Sequence, residues 1–125
     1  MKVGDRLAEW SLPLTPTTIV STAIATRDWQ DVHHDRDIAQ AAGSKDIFMN
    51  ILTSNGLVEK YVADALGHDV LIKGISIRLG APAHPYDTLT FAGEVTAVED
   101  GEITLKVVGS VSLGDHVIGT VRVAA

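Results

Sequence analysis

The residues of this sequence best suited to chemistry lie in one short segment, where Asp28 precedes His33 by five positions. A carboxylate and an imidazole that share one water molecule can accept a proton from it and deliver a proton nearby, which would add water to an activated double bond. We predict that one helix closes at Asp28 and another opens after His33, so that both side chains project from an irregular connection. The spacing by itself is a short motif that also arises by chance, and helix-boundary or solvated residues explain it as well.

Composition and charge restrict the class of protein. The chain of 125 residues is 46% apolar and 5% aromatic, which predicts one globular domain, residues 1–125, with an aliphatic core. It has no cysteine, which excludes disulfides, thiolate nucleophiles and cysteine-bound metal ions. A net charge of −6 disfavours nucleic acid as a partner. Because no apolar run reaches about 18 residues and no leader opens the chain, we expect no membrane contact and a cytoplasmic location.

Helices are predicted in the first half of the chain, where they must position this segment. Thr17 is a candidate cap for a first helix that ends near Arg27. Asp35 is predicted to start a second, short helix that Gly43 ends. The third helix, residues 47–66, is long and apolar on most of its faces, so we expect other elements to wrap around it.

Strands are predicted in the second half of the chain, whereas an irregular lead-in with prolines, residues 10–16, is predicted before the first helix. Two dipeptides indicate hairpin turns, Asp100-Gly101 strongly and Gly114-Asp115 less so. The segments rich in β-branched residues are 70–79, 88–98, 103–113 and 116–123. Helices followed by consecutive strands predict an α+β fold. A long central helix wrapped by a curved antiparallel sheet is the hotdog architecture, here as a single domain.

The chemistry-bearing segment resembles a known motif. Residues 27–33, RDWQDVH, with Ala39 after five further positions, resemble the motif G-D-x-N-P-[LIV]-H-x5-[AS] of MaoC-like (R)-specific enoyl-CoA hydratases. The Asp, the aliphatic residue, the His and the small residue all match. Arg27 stands in place of Gly, Gln30 in place of Asn and Asp31 in place of Pro, so the connection differs from the usual one.

The resemblance extends along the chain, through VGD at 3–5, DIFMNILT at 46–53 and TFAGEV at 90–95. Residues 27–37 and 43–48 are most similar to the small catalytic subunit of heteromeric bacterial steroid enoyl-CoA hydratases. This resemblance implies hydration of a steroid side-chain enoyl-CoA in the degradation of cholesterol or related sterols. It also implies a second MaoC-like subunit with a DUF35 domain in an α2β2 assembly. No cofactor is expected, because CoA is part of the substrate.

The resemblance also implies roles for individual residues. Asp28 and His33 become the catalytic acid–base pair, and the backbone N–H of Asn50, at the start of the central helix, becomes a candidate donor to the thioester oxygen. A polar residue that begins a helix explains Asn50 equally well. The other histidines, His34, His68, His84 and His116, are predicted to lie at the surface, at turns or at strand ends. No metal site is expected, because adjacent histidines seldom converge on one ion, and CoA-binding residues are not predicted.

Two alternative functions remain open. A hotdog thioesterase would use a carboxylate on or near the central helix, but Glu59 and Asp64 lie far along it and do not account for the pairing of Asp28 with His33. A non-catalytic partner subunit would be free to lose both residues, and this chain keeps them.

Overall fold

A curved, five-stranded antiparallel sheet forms the larger part of the structure, a computed structural model that describes residues 1–125. Its strands lie in the order β1-β3-β4-β5-β2. A register shift interrupts each pair of neighbouring strands, and such irregularities increase the bend and twist of a sheet. The strands are β1 (Arg6–Pro13), β2 (Ile72–Leu79), β3 (Thr88–Glu99), β4 (Glu102–Val111) and β5 (Gly114–Ala124).

Three helices and a 3-10 turn complete the α+β fold, each helix with a polar side chain at its N-terminus. The side chains of Thr15, Asp35 and Asn50 accept hydrogen bonds from the first backbone N–H groups of the three helices. The helices are α1 (Pro16–Ala25), α2 (Arg36–Ala41) and α3 (Ile51–Leu66), and the 3-10 turn is Asp31–His33.

The main core lies between α3 and the concave face of the sheet. Val58, Tyr61 and Val62 of α3 are buried there, and the Tyr61 hydroxyl donates a hydrogen bond to the carbonyl of Ala8 on β1 (2.7 Å). Full burial of a valine side chain such as Val58 or Val62 contributes about 1.5–3 kcal/mol to the stability of the fold. The sheet supplies the facing residues Leu89, Phe91, Val95, Leu105, Val107, Val117 and Val121. The sheet therefore covers the helix along one face, as the hotdog prediction requires.

The sheet wraps α3 as expected, but part of the helix stays uncovered in this chain by itself. Ile51 and Leu52 are 52% and 53% exposed, and the buried face includes the polar residues Thr53 and Ser54. The first turn of α3 is therefore apolar outwards and polar inwards. The polar side chains bond within the chain, the Thr53 hydroxyl to Oδ1 of Asn50 and the Ser54 hydroxyl to His116.

Three predicted boundaries are wrong. Part of the segment 10–16, predicted to be irregular, belongs to the edge strand β1, which pairs with β3. The strand ends at Pro13, where a missing N–H is tolerated. Thr15 rather than Thr17 caps α1, because Pro16 takes the first helical position. The central helix begins at Ile51 rather than near residue 47, because Met49 is still in an extended segment and its N–H donates to Ala83 (3.0 Å).

One of the two predicted hairpin turns is confirmed, and the other is displaced along the chain. Asp100 and Gly101 adopt φ values of 53° and 71°, the two left-handed positions of the predicted tight turn. The second turn lies at residues 112–113, two residues before the predicted dipeptide, because Gly114 already begins β5. No helix of the structure combines the length and apolar character needed to cross a membrane.

A second, smaller core positions the chemistry-bearing segment. Ile19 of α1, Ala39 of α2 and Ile47 pack together and are buried, with Val20 and Val32 against them. This cluster joins the two short helices to the chain that enters α3. The small residue of the sequence motif, Ala39, therefore serves to let the helices approach closely.

Candidate active site

The end of helix α1 positions Asp28. The N–H of Arg27 donates to the carbonyl of Ile24 and the N–H of Asp28 to the carbonyl of Ala23, both at 2.9 Å. These two bonds form a Schellman motif, which requires a left-handed residue just beyond the helix, usually glycine. Arg27 occupies that position with φ of 56°. The chain thus makes a left-handed turn at the position where the resembled motif has glycine, and Asp28 follows directly after it.

The 3-10 turn and the chain before α3 position His33. The Nδ1 of His33 lies 2.6 Å from the carbonyl oxygen of Phe48, and the Phe48 ring meets the imidazole edge-on at 5.0 Å. A carbonyl oxygen only accepts, so Nδ1 carries the hydrogen. The other nitrogen, Nε2, lies 3.4 Å from Oδ2 of Asp28. Any proton that His33 gains or loses therefore passes through the nitrogen that faces the carboxylate.

Hydrogen bonds keep the Asp28 carboxyl ionised. Its Oδ1 accepts the backbone N–H of Gln30 (3.1 Å) and its Oδ2 accepts Nδ2 of Asn50 (3.2 Å). The bond from Gln30 and then that from Asn50, with the nearby charges of His33 and His34, hold the pKa of Asp28 below its ordinary value of 3.8, against the opposing effect of burial. Gln30, which replaces the asparagine of the motif, thus contributes through its backbone.

The pair faces a cavity that could hold a water molecule and an acyl group. The cavity has a volume of about 330 Å³ and is lined by Asp28, His33, Asn50, the segment 79–82 and His116. The Asp28 and His33 side chains are only 18% and 7% exposed. The structure therefore brings the two predicted residues together at the wall of one cavity, with a proton acceptor on Asp28 and an exchangeable position on His33.

Asn50 caps α3 and leaves its own backbone N–H without a partner in the chain. Its side-chain Oδ1 accepts the N–H of Thr53 (3.2 Å) and so caps α3. Its backbone N–H takes part in no hydrogen bond within the chain, and the residue lines the cavity. The amino end of a helix carries unpaired N–H groups and a partial positive charge. A developing negative charge on a bound thioester oxygen would be stabilised there.

His34 is not the surface residue that the sequence predicts. Its Nε2 lies 2.7 Å from the carbonyl oxygen of Asp28 and therefore donates a hydrogen bond to it. Its ring stacks on that of Trp29 at 6.2 Å. His34 supports the backbone that carries Asp28, while its ring nitrogen points to that backbone rather than to the carboxylate.

His116 lines the cavity, although the sequence predicts only a residue at a strand end. It is 2% exposed, donates through Nδ1 to the carbonyl of Ala81 (2.7 Å), and accepts at Nε2 from the hydroxyl of Ser54 (2.7 Å). Burial lowers the pKa of His116, which favours this neutral form. Strand alternation places it opposite to the inward-facing Val117. Contacts with Ala81 and with Ser54 of α3 hold it in the interior, and no local sequence signal reports those contacts.

The remaining histidines and acidic residues form no comparable site. His68 is exposed and pairs with Asp64 (3.1 Å), and His84 is buried beside Ser44 (3.3 Å). No group of three or more His, Asp or Glu side chains is arranged to hold a metal ion.

A helix lying in a curved sheet, with a carboxylate and an imidazole paired at its amino end, defines a hotdog-fold protein of the MaoC type. Residues 3–116 match the family model of the MaoC like domain, and the chain belongs to that family. It is 63% identical over 122 residues to the 3-oxo-4,17-pregnadiene-20-carboxyl-CoA hydratase beta subunit of Mycobacterium tuberculosis, covering 98% of this chain and 95% of that protein.

Solved structures agree with this family membership. A chain of the ChsH1-ChsH2 complex from Mycobacterium tuberculosis matches with a TM-score of 0.96 at 63% identity, over 98% of this chain and 97% of that chain. An (R)-hydratase from A. caviae involved in PHA biosynthesis matches with a TM-score of 0.90 over 99% of this chain and 96% of that one. At 21% identity the second match shows a shared fold alone.

Proposed function

We propose that this chain is the catalytic subunit of an enoyl-CoA hydratase that acts on the side-chain CoA thioester of a steroid. The observation that carries the proposal is the approach of His33 Nε2 to Asp28 Oδ2, 3.4 Å apart at the cavity wall. The 63% identity to a subunit of a steroid carboxyl-CoA hydratase supports the substrate class.

In the proposed reaction Asp28 begins as a carboxylate and His33 begins protonated at Nε2. A water molecule held by both attacks C3 of the enoyl thioester with its oxygen, and its proton passes to Asp28. The C2=C3 double bond becomes single as Nε2 of His33 delivers its proton to C2. Transfer of the proton from Asp28 to His33 across the 3.4 Å between them then restores the starting state.

Negative charge develops on the thioester oxygen during this attack. The free backbone N–H of Asn50, at the amino end of α3, is the proposed donor to that oxygen. A preorganised donor in a water-poor cavity stabilises a transition state more than it stabilises the uncharged substrate.

The proposed substrate requires a partner subunit. The cavity within this chain, about 330 Å³, lies at the small end of the range of about 300–1,000 Å³ for ligand pockets. A fused-ring substrate with a CoA group needs further walls. We propose that a second MaoC-like subunit, with a DUF35 domain, supplies them in an α2β2 assembly, since the relatives are a beta subunit and a chain of a two-protein complex.

The structure does not favour the thioesterase alternative. Glu59 of α3 is exposed, and Asp64 forms surface ion pairs with Lys60 (2.8 Å) and His68 (3.1 Å). Neither carboxylate lines the cavity that Asp28 lines. A carboxylate in the usual thioesterase region of the helix is therefore not available to a substrate in this cavity.

Co-expression with the partner subunit and assay of the complex test the proposal. The assay uses 3-oxo-4,17-pregnadiene-20-carboxyl-CoA, the compound in the relative's name. Mass spectrometry measures the gain of one water molecule in the product. Asp28→Asn and His33→Ala should each lower kcat by about 10²–10⁴-fold with assembly intact. His68→Ala, at an exposed histidine, is the matched control. Near-normal turnover of either site variant would overturn the assignment.

A further inference from the structure

Asn50 is a buried amide whose every hydrogen-bonding position is taken. The residue is 2% exposed. Its Oδ1 accepts from the backbone N–H and the hydroxyl of Thr53. Its Nδ2 donates to the hydroxyl oxygen of Thr26 (2.8 Å) and to Oδ2 of Asp28 (3.2 Å). An amide offers two donor hydrogens and two acceptor lone pairs, and here all four have partners.

These partners determine which way the amide faces. A backbone N–H can only donate, so the bond from Thr53 requires the oxygen of Asn50 on that side. The nitrogen must then face Thr26 and Asp28. The Thr26 hydroxyl donates to the carbonyl of Ala23 (2.9 Å) and is therefore an acceptor towards Asn50. The donor that Asn50 presents to Asp28 is thus imposed by its surroundings.

We propose that the Asn50 side chain is a positioning residue that holds the Asp28 carboxylate in the orientation needed for proton transfer with His33. This inference rests on the proposed function. Each carboxylate oxygen has its own donor, Oδ1 the N–H of Gln30 (3.1 Å) and Oδ2 the Asn50 amide. Because the same Oδ2 faces Nε2 of His33, loss of the Asn50 donor frees the oxygen that exchanges the proton.

The same bond stabilises the ionised form of the carboxyl. The bond from Asn50 is among the effects that lower the pKa of Asp28. The other titratable groups that act on Asp28 are His33 and His34, and His116 lines the far side of the cavity. Removal of the Asn50 donor leaves all three histidines in place. The acidic limb of the pH–rate profile, where Asp28 becomes protonated, should therefore move to higher pH.

Asn50→Ser separates this role from helix capping. Serine caps a helix about as well as asparagine, keeps the backbone N–H, and has no donor that reaches as far as Nδ2. We expect kcat of the co-expressed complex on 3-oxo-4,17-pregnadiene-20-carboxyl-CoA to fall about tenfold, the effect of losing one hydrogen bond to a charged group. KM should change little and the acidic limb should shift upwards. The melting temperature should fall modestly, because the buried bond to Thr26 is lost as well.

Asn50→Asp is a second variant that also retains the cap. It places a carboxylate against Asp28 in place of a donor, so like charges should raise the pKa of Asp28 further and shift the acidic limb more than serine does. Asn55→Ser is the matched control, because it changes the same residue type on the same helix away from the cavity lining. It should keep wild-type kcat and pH dependence.

The measurements separate this inference from the function beneath it. An inactive Asp28→Asn together with an Asn50→Ser of unchanged kcat and acidic limb would refute the positioning role alone. A fall in kcat of Asn50→Ser that follows a fall in melting temperature, with no shift of the limb, would show a structural role and also refute it. Turnover retained by Asp28→Asn would refute the proposed function and this inference together.

Discussion

Replacement of Arg27 by glycine should stabilise the protein. Arg27 holds φ of 56° at the end of α1, where a residue with a Cβ costs about 1–2 kcal/mol. Its side chain is exposed and forms no ion pair, so its removal sacrifices little else. Against this gain, glycine costs about 0.5–1 kcal/mol of stability, because it gives the unfolded chain more conformational freedom. The net gain should be about 0.5–1 kcal/mol.

Thermal unfolding measures this gain. For a domain of this size we expect the melting temperature of Arg27→Gly to rise by about 2–5 °C. Arg27→Ala is the matched control, because it removes the same guanidinium group while keeping the Cβ that creates the strain. Its melting temperature should stay at or slightly below that of the wild type. If Arg27→Gly unfolds no later than Arg27→Ala, the left-handed turn stores no strain and the reasoning is wrong.

Other perturbations test the cavity wall and its supports. Burial lowers the pKa of His116 below 6.5, so the native state resists protonation of this residue. The stability of the protein should therefore be full above pH 6.5 and decline below it. His116→Gln should flatten this decline in melting temperatures measured over a pH series. Gly56→Ala, in open space on α3, should stabilise the fold by about 0.5–1 kcal/mol in urea unfolding. Gly80→Ala should instead destabilise it by about 1–3 kcal/mol, because the new Cβ meets the carbonyl oxygen of Asp115, and equal stability of the two alanine variants would contradict this packing. His34→Ala should lower hydration less than His33→Ala does, and an equal loss of kcat would mean that the wrong imidazole is assigned to proton transfer.

Periodicity and turn chemistry predict most of the fold, because those signals are local. The alternation of Leu89, Phe91 and Val95 places one face of β3 in the core, and Asp100-Gly101 marks its hairpin. The edge strand β1 carries no such local signal, because Pro13 and Pro16 suggest an irregular segment. Only its pairing with β3, more than seventy residues away, identifies it as a strand.

The two central residues of the candidate site are predictable from the sequence, but the residues that support them are not. The spacing of Asp28 and His33 is local, and the structure brings the two side chains together. The contacts that orient them connect distant segments, such as Asn50 to Asp28 and His116 to Ser54. Separations of 22 and 62 residues leave no pattern in the sequence, because the fold alone brings those side chains within hydrogen-bonding distance.

In the proposed reaction, one nitrogen of His33 both gives up the proton and regains it. With Nδ1 tied to the carbonyl of Phe48, Nε2 is the only route by which protons enter or leave the ring. In the proposed reaction, the proton that Asp28 takes from water passes to Nε2 of His33 and restores the donor that protonates C2 in the next turnover. Asp28 and His33 together regenerate their starting protonation states, and the proposed cycle needs no third side chain for this.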